Sequence, residues 1–113
     1  MLKSRLSQTF INEIIEQLKP LDPDKVLLFG SYAWGDPDEE SDIDLFIVKN
    51  SAPENVHNLS LEAMRCLRPL IFKYKKSFDV LLDDPVRIHD RINNINDRFY
   101  GEVHEKGVTI YAK

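Results

Sequence analysis

The chain has 113 residues, of which 42% are hydrophobic and 30% charged, and this size and composition are typical of one globular domain spanning residues 1–113. Its 19 acidic and 15 basic residues give a formal net charge of −4, which argues against a general nucleic-acid-binding protein, because that class carries a basic excess. The single cysteine, Cys66, excludes an intramolecular disulfide, and no apolar run approaches the ~20 residues of a membrane span, so we expect a cytoplasmic protein that does not bind membranes.

The N-terminal segment is predicted to be a helix. Pro20 and Pro23 are expected to end it. The apolar run 25–29, which leads into Gly30-Ser31, then predicts a buried strand followed by a turn. Apolar residues at spacings of three and four form one stripe on the helix: Leu2, Leu6, Phe10, Ile11, Ile14, Ile15 and Leu18.

The middle of the chain is predicted to contain a loop, a strand and a helix. Residues 36–41 are acidic and contain a proline, which indicates a loop, and residues 43–48 form a second apolar strand. The run Ser51-Ala52-Pro53-Glu54 is typical of a capping box with proline in the first turn. We therefore expect a helix to open there and to end or kink at Pro69.

The C-terminal part is predicted to contain two further strands around a polar helical region. Residues 78–82 form an apolar strand, and Asp84-Pro85 is typical of an N-cap with proline at the first helical position. The helical region should extend to about residue 106, with Gly107 at its end and a closing strand at 108–111. Strands that alternate with helices predict an α+β fold, α/β-like, with a small mixed sheet of about four strands flanked by helices.

Gly30-Ser31 is a candidate phosphate-binding turn. Glycine lets the backbone approach a ligand closely, and the N–H groups at a helix start bind phosphate oxygens. The alternative is an ordinary turn after a strand.

Asp42 and Asp44 are candidate metal ligands at the start of the second strand. Side chains alternate across a strand, so both carboxylates point to the same side. Two like charges about 4 Å apart repel by roughly 4 kcal/mol at an effective dielectric of 20, and a hard divalent cation is the usual way to offset that cost. The alternative is a solvated acidic edge that discourages aggregation.

Asp79 is a third candidate, because it is a charged residue inside an apolar strand and could complete a carboxylate cluster with the other two. The alternative is a cap or turn residue. Asp83 and Asp84 are weaker candidates, since an N-cap before Pro85 already explains Asp84.

Two other ligand-binding motifs fail. Gly30 and Gly35 have the spacing of a P-loop, but Asp36-Pro37 stands where that motif requires lysine and serine or threonine. The acidic run from Asp36 begins like an EF-hand loop but lacks its glycine, and Ile47 stands where the bidentate glutamate belongs.

Gly30-Ser31, ten residues, then Asp42-Ile43-Asp44 resembles the signature of the DNA polymerase beta-like nucleotidyltransferases. The fuller run, through Gly35 and on to Leu45, is most similar to the minimal nucleotidyltransferases. These are often encoded beside an all-helical HEPN-class protein, with which they form a toxin–antitoxin system. The resemblance extends over most of the chain.

The resemblance implies a nucleotidyltransferase fold and a role for each candidate residue. Ser31 and the adjacent backbone would hold the triphosphate of ATP. Asp42 and Asp44 would bridge two Mg²⁺ ions, and Asp79 would bind one of them and help activate the acceptor hydroxyl. Catalysis would then consist mostly of positioning and charge neutralisation.

One residue departs from the family pattern. Trp34 stands where many relatives have arginine, so a phosphate-contacting cation is missing there. Tyr32 and Trp34 are interpreted as packing aromatics, with stacking on a base as the alternative. Arg98 and His104 resemble the Arg…His spacing of HEPN ribonucleases, but positions six apart do not share a helix face, so we interpret them as a coincidence.

The function predicted is transfer of a nucleoside monophosphate, AMP from ATP, to a hydroxyl, such as a tyrosine on a HEPN-type toxin that this chain would neutralise. One alternative is an antitoxin that keeps the fold and acts by binding alone. Another is a small-molecule (antibiotic) nucleotidyltransferase that needs a second subunit. The sequence leaves self-association open.

Overall fold

Four strands form one mixed sheet in a computed structural model of the chain, which describes residues 6–113. The strand order is β3-β2-β1-β4; β2 and β3 are parallel, and the other pairs are antiparallel. The predicted α+β fold with a small mixed sheet is therefore confirmed. The elements follow the order α1 (Gln8–Leu18), β1 (Lys25–Phe29), α2 (Ser31–Trp34), β2 (Ile43–Val48), α3 (Val56–Tyr74), β3 (Phe78–Asp83), α4 (Pro85–Asn93), α5 (Arg98–Lys106) and β4 (Val108–Ala112).

The two faces of the sheet are covered by different helices. Because side chains alternate along a strand, Ile43, Leu45 and Ile47 of β2 point to one face, where they form the main core with α1 and α3. Phe46 points to the opposite face and packs in a smaller cluster with Val103 of α5. The second face is only partly covered, and the candidate aspartates lie on it.

Helix α1 agrees with its predicted pattern. Ser7 caps it by accepting a hydrogen bond from the Phe10 N–H, and the helix ends at Leu18, before Pro20. Its apolar stripe is buried at Phe10, Ile11, Ile14 and Leu18. Leu2, which we assigned to the same stripe, lies outside the described residues.

Two expectations about α3, a cap at Ser51 and an end at Pro69, are wrong. The Ser51 hydroxyl donates to the Ala52 carbonyl and caps no helix, and a short 3₁₀ turn at Pro53–Asn55 precedes α3. Pro69 lies inside α3, which continues to Tyr74. Proline in a helix interior costs about 3 kcal/mol, and burial of the surrounding apolar side chains, such as Leu67 and Leu70, offsets this cost.

The polar C-terminal region consists of two helices instead of one. Asp84 caps α4 by accepting from the Arg87 N–H, with Pro85 at the first helical position as predicted. The chain then breaks near Asn96, whose φ is +61°, and Asp97 caps α5. No helix within residues 6–113 is both long and apolar enough to cross a membrane.

Candidate active site

Three adjacent strands, β1, β2 and β3, each contribute one residue to a single row across the sheet. In the antiparallel pair β1–β2, Phe29 is the partner of Asp44, and in the parallel pair β2–β3, Asp44 is the partner of Asp79. Partners in adjacent strands point to the same face. The carboxylates of Asp44 and Asp79 therefore stand side by side, with the Phe29 ring on the other flank of Asp44.

Asp42 joins this pair from the loop before β2. It lies two residues ahead of Asp44, close enough for its negative charge to act on the Asp44 carboxyl. Asp42 and Asp79 are exposed, whereas Asp44 is half-buried between its neighbours. The parallel pairing of β2 with β3 thus places Asp79 beside Asp44, and Asp42 approaches the pair from the preceding loop.

Asp44 has an unusual acidity. Burial raises its pKa to about 6, and the negative charges of Asp79 and Asp42 add to the shift in that order. Two conclusions follow: the three carboxylates interact electrostatically, and the charge on Asp44 is unfavourable where it stands.

Position 30 requires glycine for two reasons, its backbone conformation and the lack of space for a side chain. Its φ of +68° and ψ of −151° lie in a region essentially restricted to glycine. A Cβ atom there would also overlap the Asp44 carboxylate. The turn after β1 is therefore held directly against the central aspartate.

Ser31 begins the short helix α2 immediately after this turn. The carbonyl of Gly30 accepts hydrogen bonds from the Ala33 and Trp34 N–H groups, each at 3.0 Å, which winds the turn tightly. The first N–H groups of a helix have no partner within it and are free to meet an anion. Ser31 is half-buried, and the preceding Gly30 lies against Asp44 of the next strand, so the turn adjoins the central aspartate.

The aromatics of α2 pack against the protein. Tyr32 is buried in the main core, and Trp34 is half-buried and contacts both apolar clusters. Their interpretation as packing residues is confirmed. Trp34 thus fills space between the two clusters.

Sequence reasoning missed a lysine that anchors the loop before Asp42. The ammonium group of Lys76 donates to the Glu39 carbonyl at 2.8 Å and to the Asp38 carbonyl at 3.4 Å. Asp38 and Ser41 close the same loop, since the Asp38 N–H donates to the Ser41 hydroxyl at 2.9 Å. No local signal relates position 76 to position 39, so only the fold reveals the contact.

The oxygen donors of this site suit a hard divalent cation such as Mg²⁺. Three carboxylates share one face, and a cation would relieve the unfavourable charge of Asp44. Among residues 6–113, however, no three or more His, Cys, Asp or Glu side chains stand in the arrangement of a ready-made metal site. Mutual repulsion between the carboxylates opposes such an arrangement.

The weaker aspartate candidates have structural partners. Asp83 is buried, accepts a hydrogen bond from the Tyr100 hydroxyl at 2.7 Å and pairs with Arg87 at 3.1 Å. Burial and the Asp83 carboxylate raise the pKa of Tyr100 to about 12, which keeps its hydroxyl protonated as the donor.

The two residues with the Arg…His spacing of HEPN ribonucleases, Arg98 and His104, both lie exposed on α5.

The sequence model of the polymerase beta nucleotidyltransferase family matches residues 11–113. The chain belongs to this family. It is 34% identical, over 87 residues, to each of two proteins of Methanocaldococcus jannaschii, "Putative protein adenylyltransferase MJ0141" and "Putative protein adenylyltransferase MJ0604". These alignments span 77% of this chain and 78% and 77% of the two relatives, respectively. Membership makes the protein a nucleotidyltransferase.

Solved structures with the same fold include toxin–antitoxin complexes. One, crystallised with AMP-PNP, gives a TM-score of 0.55 at 19% identity and covers 91% of this chain and 73% of its own. Another is the MNT antitoxin complexed with the tri-AMPylated HEPN toxin of Shewanella oneidensis, with a TM-score of 0.50 at 16% identity, covering 96% of this chain and 74% of that one. At these identities the likeness shows the fold.

Proposed function

We propose that this nucleotidyltransferase moves AMP from ATP to a hydroxyl on a partner protein, a tyrosine of a HEPN-type toxin, and thereby acts as a cytoplasmic antitoxin. The observation that carries the proposal is the row in which Asp44 faces Asp79 while Gly30 presses against Asp44. A phosphate-binding turn and a carboxylate cluster in contact are the parts that phosphoryl-group chemistry needs.

The turn after β1 would bind the nucleotide. The Gly30-Ser31 backbone N–H groups and the Ser31 hydroxyl are hydrogen-bond donors for triphosphate oxygens. Because the Gly30 backbone touches the Asp44 side chain, the phosphates would be held directly beside the carboxylates.

Asp42, Asp44 and Asp79 would hold two Mg²⁺ ions, which when bound supply positive charge to the attacking and leaving oxygens of an in-line displacement. Asp79 lies on β3, an edge strand, and is exposed, so an acceptor can approach it from outside the sheet. The acceptor oxygen forms a bond to the α-phosphorus, and the bond from that phosphorus to pyrophosphate breaks. The hydroxyl proton passes to the Asp79 carboxylate.

Two lines of comparison support a protein as acceptor. The Methanocaldococcus relatives are named as protein adenylyltransferases, and a neighbour in fold is an antitoxin bound to an AMPylated HEPN toxin. The exposed side chain of Leu81 follows Asp79 on the same face of the edge strand and offers an apolar contact beside the acceptor position.

A transfer assay with α-labelled ATP and the HEPN-type partner tests the proposal. We expect label on a partner tyrosine, located by mass spectrometry. Asp42→Asn, Asp44→Asn and Asp79→Asn should each lower the rate by at least about 100-fold, because each removes a charged ligand or the proton acceptor. The control is Asp90→Asn, which alters an exposed aspartate of α4 outside the site and should leave the rate unchanged.

If the aspartate variants still neutralise the toxin as well as the unaltered protein, the chain acts by binding alone. Trp34 is the feature that favours this second function, because it packs against both apolar clusters where the family resemblance implies a phosphate-contacting arginine.

A further inference from the structure

Phe99 is an apolar side chain that the fold leaves partly uncovered beside the site. It lies in the first turn of α5 and is 42% exposed. Asp97 fixes the start of that helix by accepting hydrogen bonds from the Phe99 and Tyr100 N–H groups at 3.0 and 3.1 Å. The ring is therefore held on an ordered element.

The position of the ring follows from its contact with Phe29. The two ring centroids are 5.4 Å apart and the planes are nearly perpendicular, at 84°. Phe29 is the strand partner of Asp44 and directly precedes Gly30-Ser31. Phe99 thus extends the Phe29 side of the row Phe29–Asp44–Asp79.

The two sides of this row have different roles in the proposed reaction. The β3 side is the free edge of the sheet, where the acceptor enters, and the β1 side is continuous with the phosphate-binding turn. Since Phe99 lies on the β1 side, its exposed surface is available to the nucleotide and is separated from the acceptor by β2.

We propose that Phe99 stacks on the nucleobase of the bound triphosphate and gives the enzyme a preference for purines. This inference rests on the proposed function. Stacking of a base on an aromatic side chain corresponds to about 5- to 150-fold in affinity, and it tolerates any base because each has a π-face. Purines expose the larger face, so ATP and GTP bind more tightly than CTP and UTP.

Nucleotide titrations of the full chain test this. Trp34 is the sole tryptophan, and it lies in α2 against the cluster that contains Phe29, so its fluorescence reports binding at the adjacent turn. Phe99→Leu keeps an apolar contact with Phe29 but removes the ring; it should weaken Mg–ATP binding about tenfold and remove the purine preference. Phe99→Tyr, which keeps an aromatic ring and leaves Trp34 the sole tryptophan, should retain both, and Mg–tripolyphosphate, which has no base, should bind every variant equally.

The matched control is Phe72→Leu. Phe72 is 67% exposed on α3, which packs on the opposite face of the sheet, so its loss should leave every nucleotide affinity unchanged. If Phe99→Leu binds Mg–ATP as tightly as the unaltered chain, or weakens ATP and tripolyphosphate equally, base stacking is wrong while the proposed transfer reaction stands. If the unaltered chain binds neither ligand, both proposals are wrong.

Discussion

At the scale of single residues, Asp44 has opposing effects on folding and on the proposed chemistry. Its negative charge is unfavourable in the folded protein, but the same charge would bind Mg²⁺. The sequence alone indicated repulsion between Asp42 and Asp44. In the structure, burial is the largest cause of the raised pKa, followed by Asp79 and then Asp42. Asp79, the strand partner of Asp44, therefore raises the pKa of Asp44 more than Asp42, its neighbour in sequence, does.

This raised pKa predicts a specific dependence of stability on pH. The folded pKa of about 6 lies above the ordinary aspartate value of 3.8, so between these values the folded state binds more protons than the unfolded state. The stabilising contribution of protonated Asp44 is complete below about pH 4 and is lost as the pH rises through 6. We expect the free energy of unfolding of the metal-free protein to fall over this range by about 1 kcal/mol, a value reduced because solvent screens the half-exposed carboxylate.

Asp44→Asn should remove that pH dependence. At pH 7.5 in EDTA, the melting temperature of this variant should be the same as that of the unaltered protein or a few degrees higher. Thermal unfolding at half-unit intervals from pH 4 to 8 measures both effects. A variant that melts lower than the unaltered protein at pH 7.5 would mean that Asp44 has a stabilising structural role.

At the scale of elements, the loop 36–42 is held by hydrogen bonds at Asp38, Glu39 and Ser41. Asp38 and Ser41 bond to each other within it, and Lys76, between α3 and β3, donates to two of its carbonyls. Lys76 also lies over the Tyr32 ring, with its ammonium 5.8 Å from the centroid. The loop that ends at Asp42 is thereby tied to α2 and to the start of the strand that bears Asp79.

This arrangement makes Lys76 a positioning residue for Asp42. Lys76→Met should raise the Mg²⁺ concentration required for half-maximal activity by about tenfold, as does the loss of other groups that orient metal ligands. The melting temperature should change little, because the lysine lies near the surface. Titration of Mg²⁺ in the transfer assay measures the effect.

Lys76→Arg should restore the magnesium dependence, and Lys106→Met, at an exposed lysine at the end of α5, should leave it unaltered. An unchanged magnesium requirement in Lys76→Met would show that Asp42 does not need this anchor.

At the scale of the whole molecule, one face of the sheet is well packed and the other carries the candidate site. The main core lies under α1 and α3, whereas α4 and α5 cover only part of the other face with a small cluster. The carboxylates occupy the uncovered end of that second face, so changes there leave the main core intact. Ligand binding at the site should therefore increase the free energy of unfolding without altering the main core.

This separation predicts a ligand-dependent melting temperature. At about 100 times its dissociation constant, Mg–ATP should stabilise the fold by about 2.7 kcal/mol, which for a domain of this size is about 10 °C. Asp42→Asn and Asp44→Asn should fold but lose most of the shift. Differential scanning fluorimetry with Mg–ATP, with ATP and EDTA, and with Mg²⁺ alone measures it. No shift in the unaltered protein would favour an antitoxin that acts by binding alone.

Local sequence patterns determined much of this architecture. The apolar stripe of α1, the alternation in β2 and the Asp84-Pro85 start of α4 depend on neighbours within a few residues, and each formed as predicted. The spacing of Gly30-Ser31 from Asp42 and Asp44 was likewise sufficient to indicate the family, because turn, loop and strand are consecutive in the chain.

The remaining features depended on contacts between residues far apart in sequence. The parallel register of β2 with β3 places Asp79 opposite Asp44, and a shift of one residue would have turned it to the other face. The contacts of Lys76 with the loop and of Phe99 with Phe29 likewise join distant segments. Pro69 remained helical because tertiary packing outweighs its local cost. Local periodicity encodes which face a side chain takes along its own element, whereas the packing of one element against another decides which side chains meet.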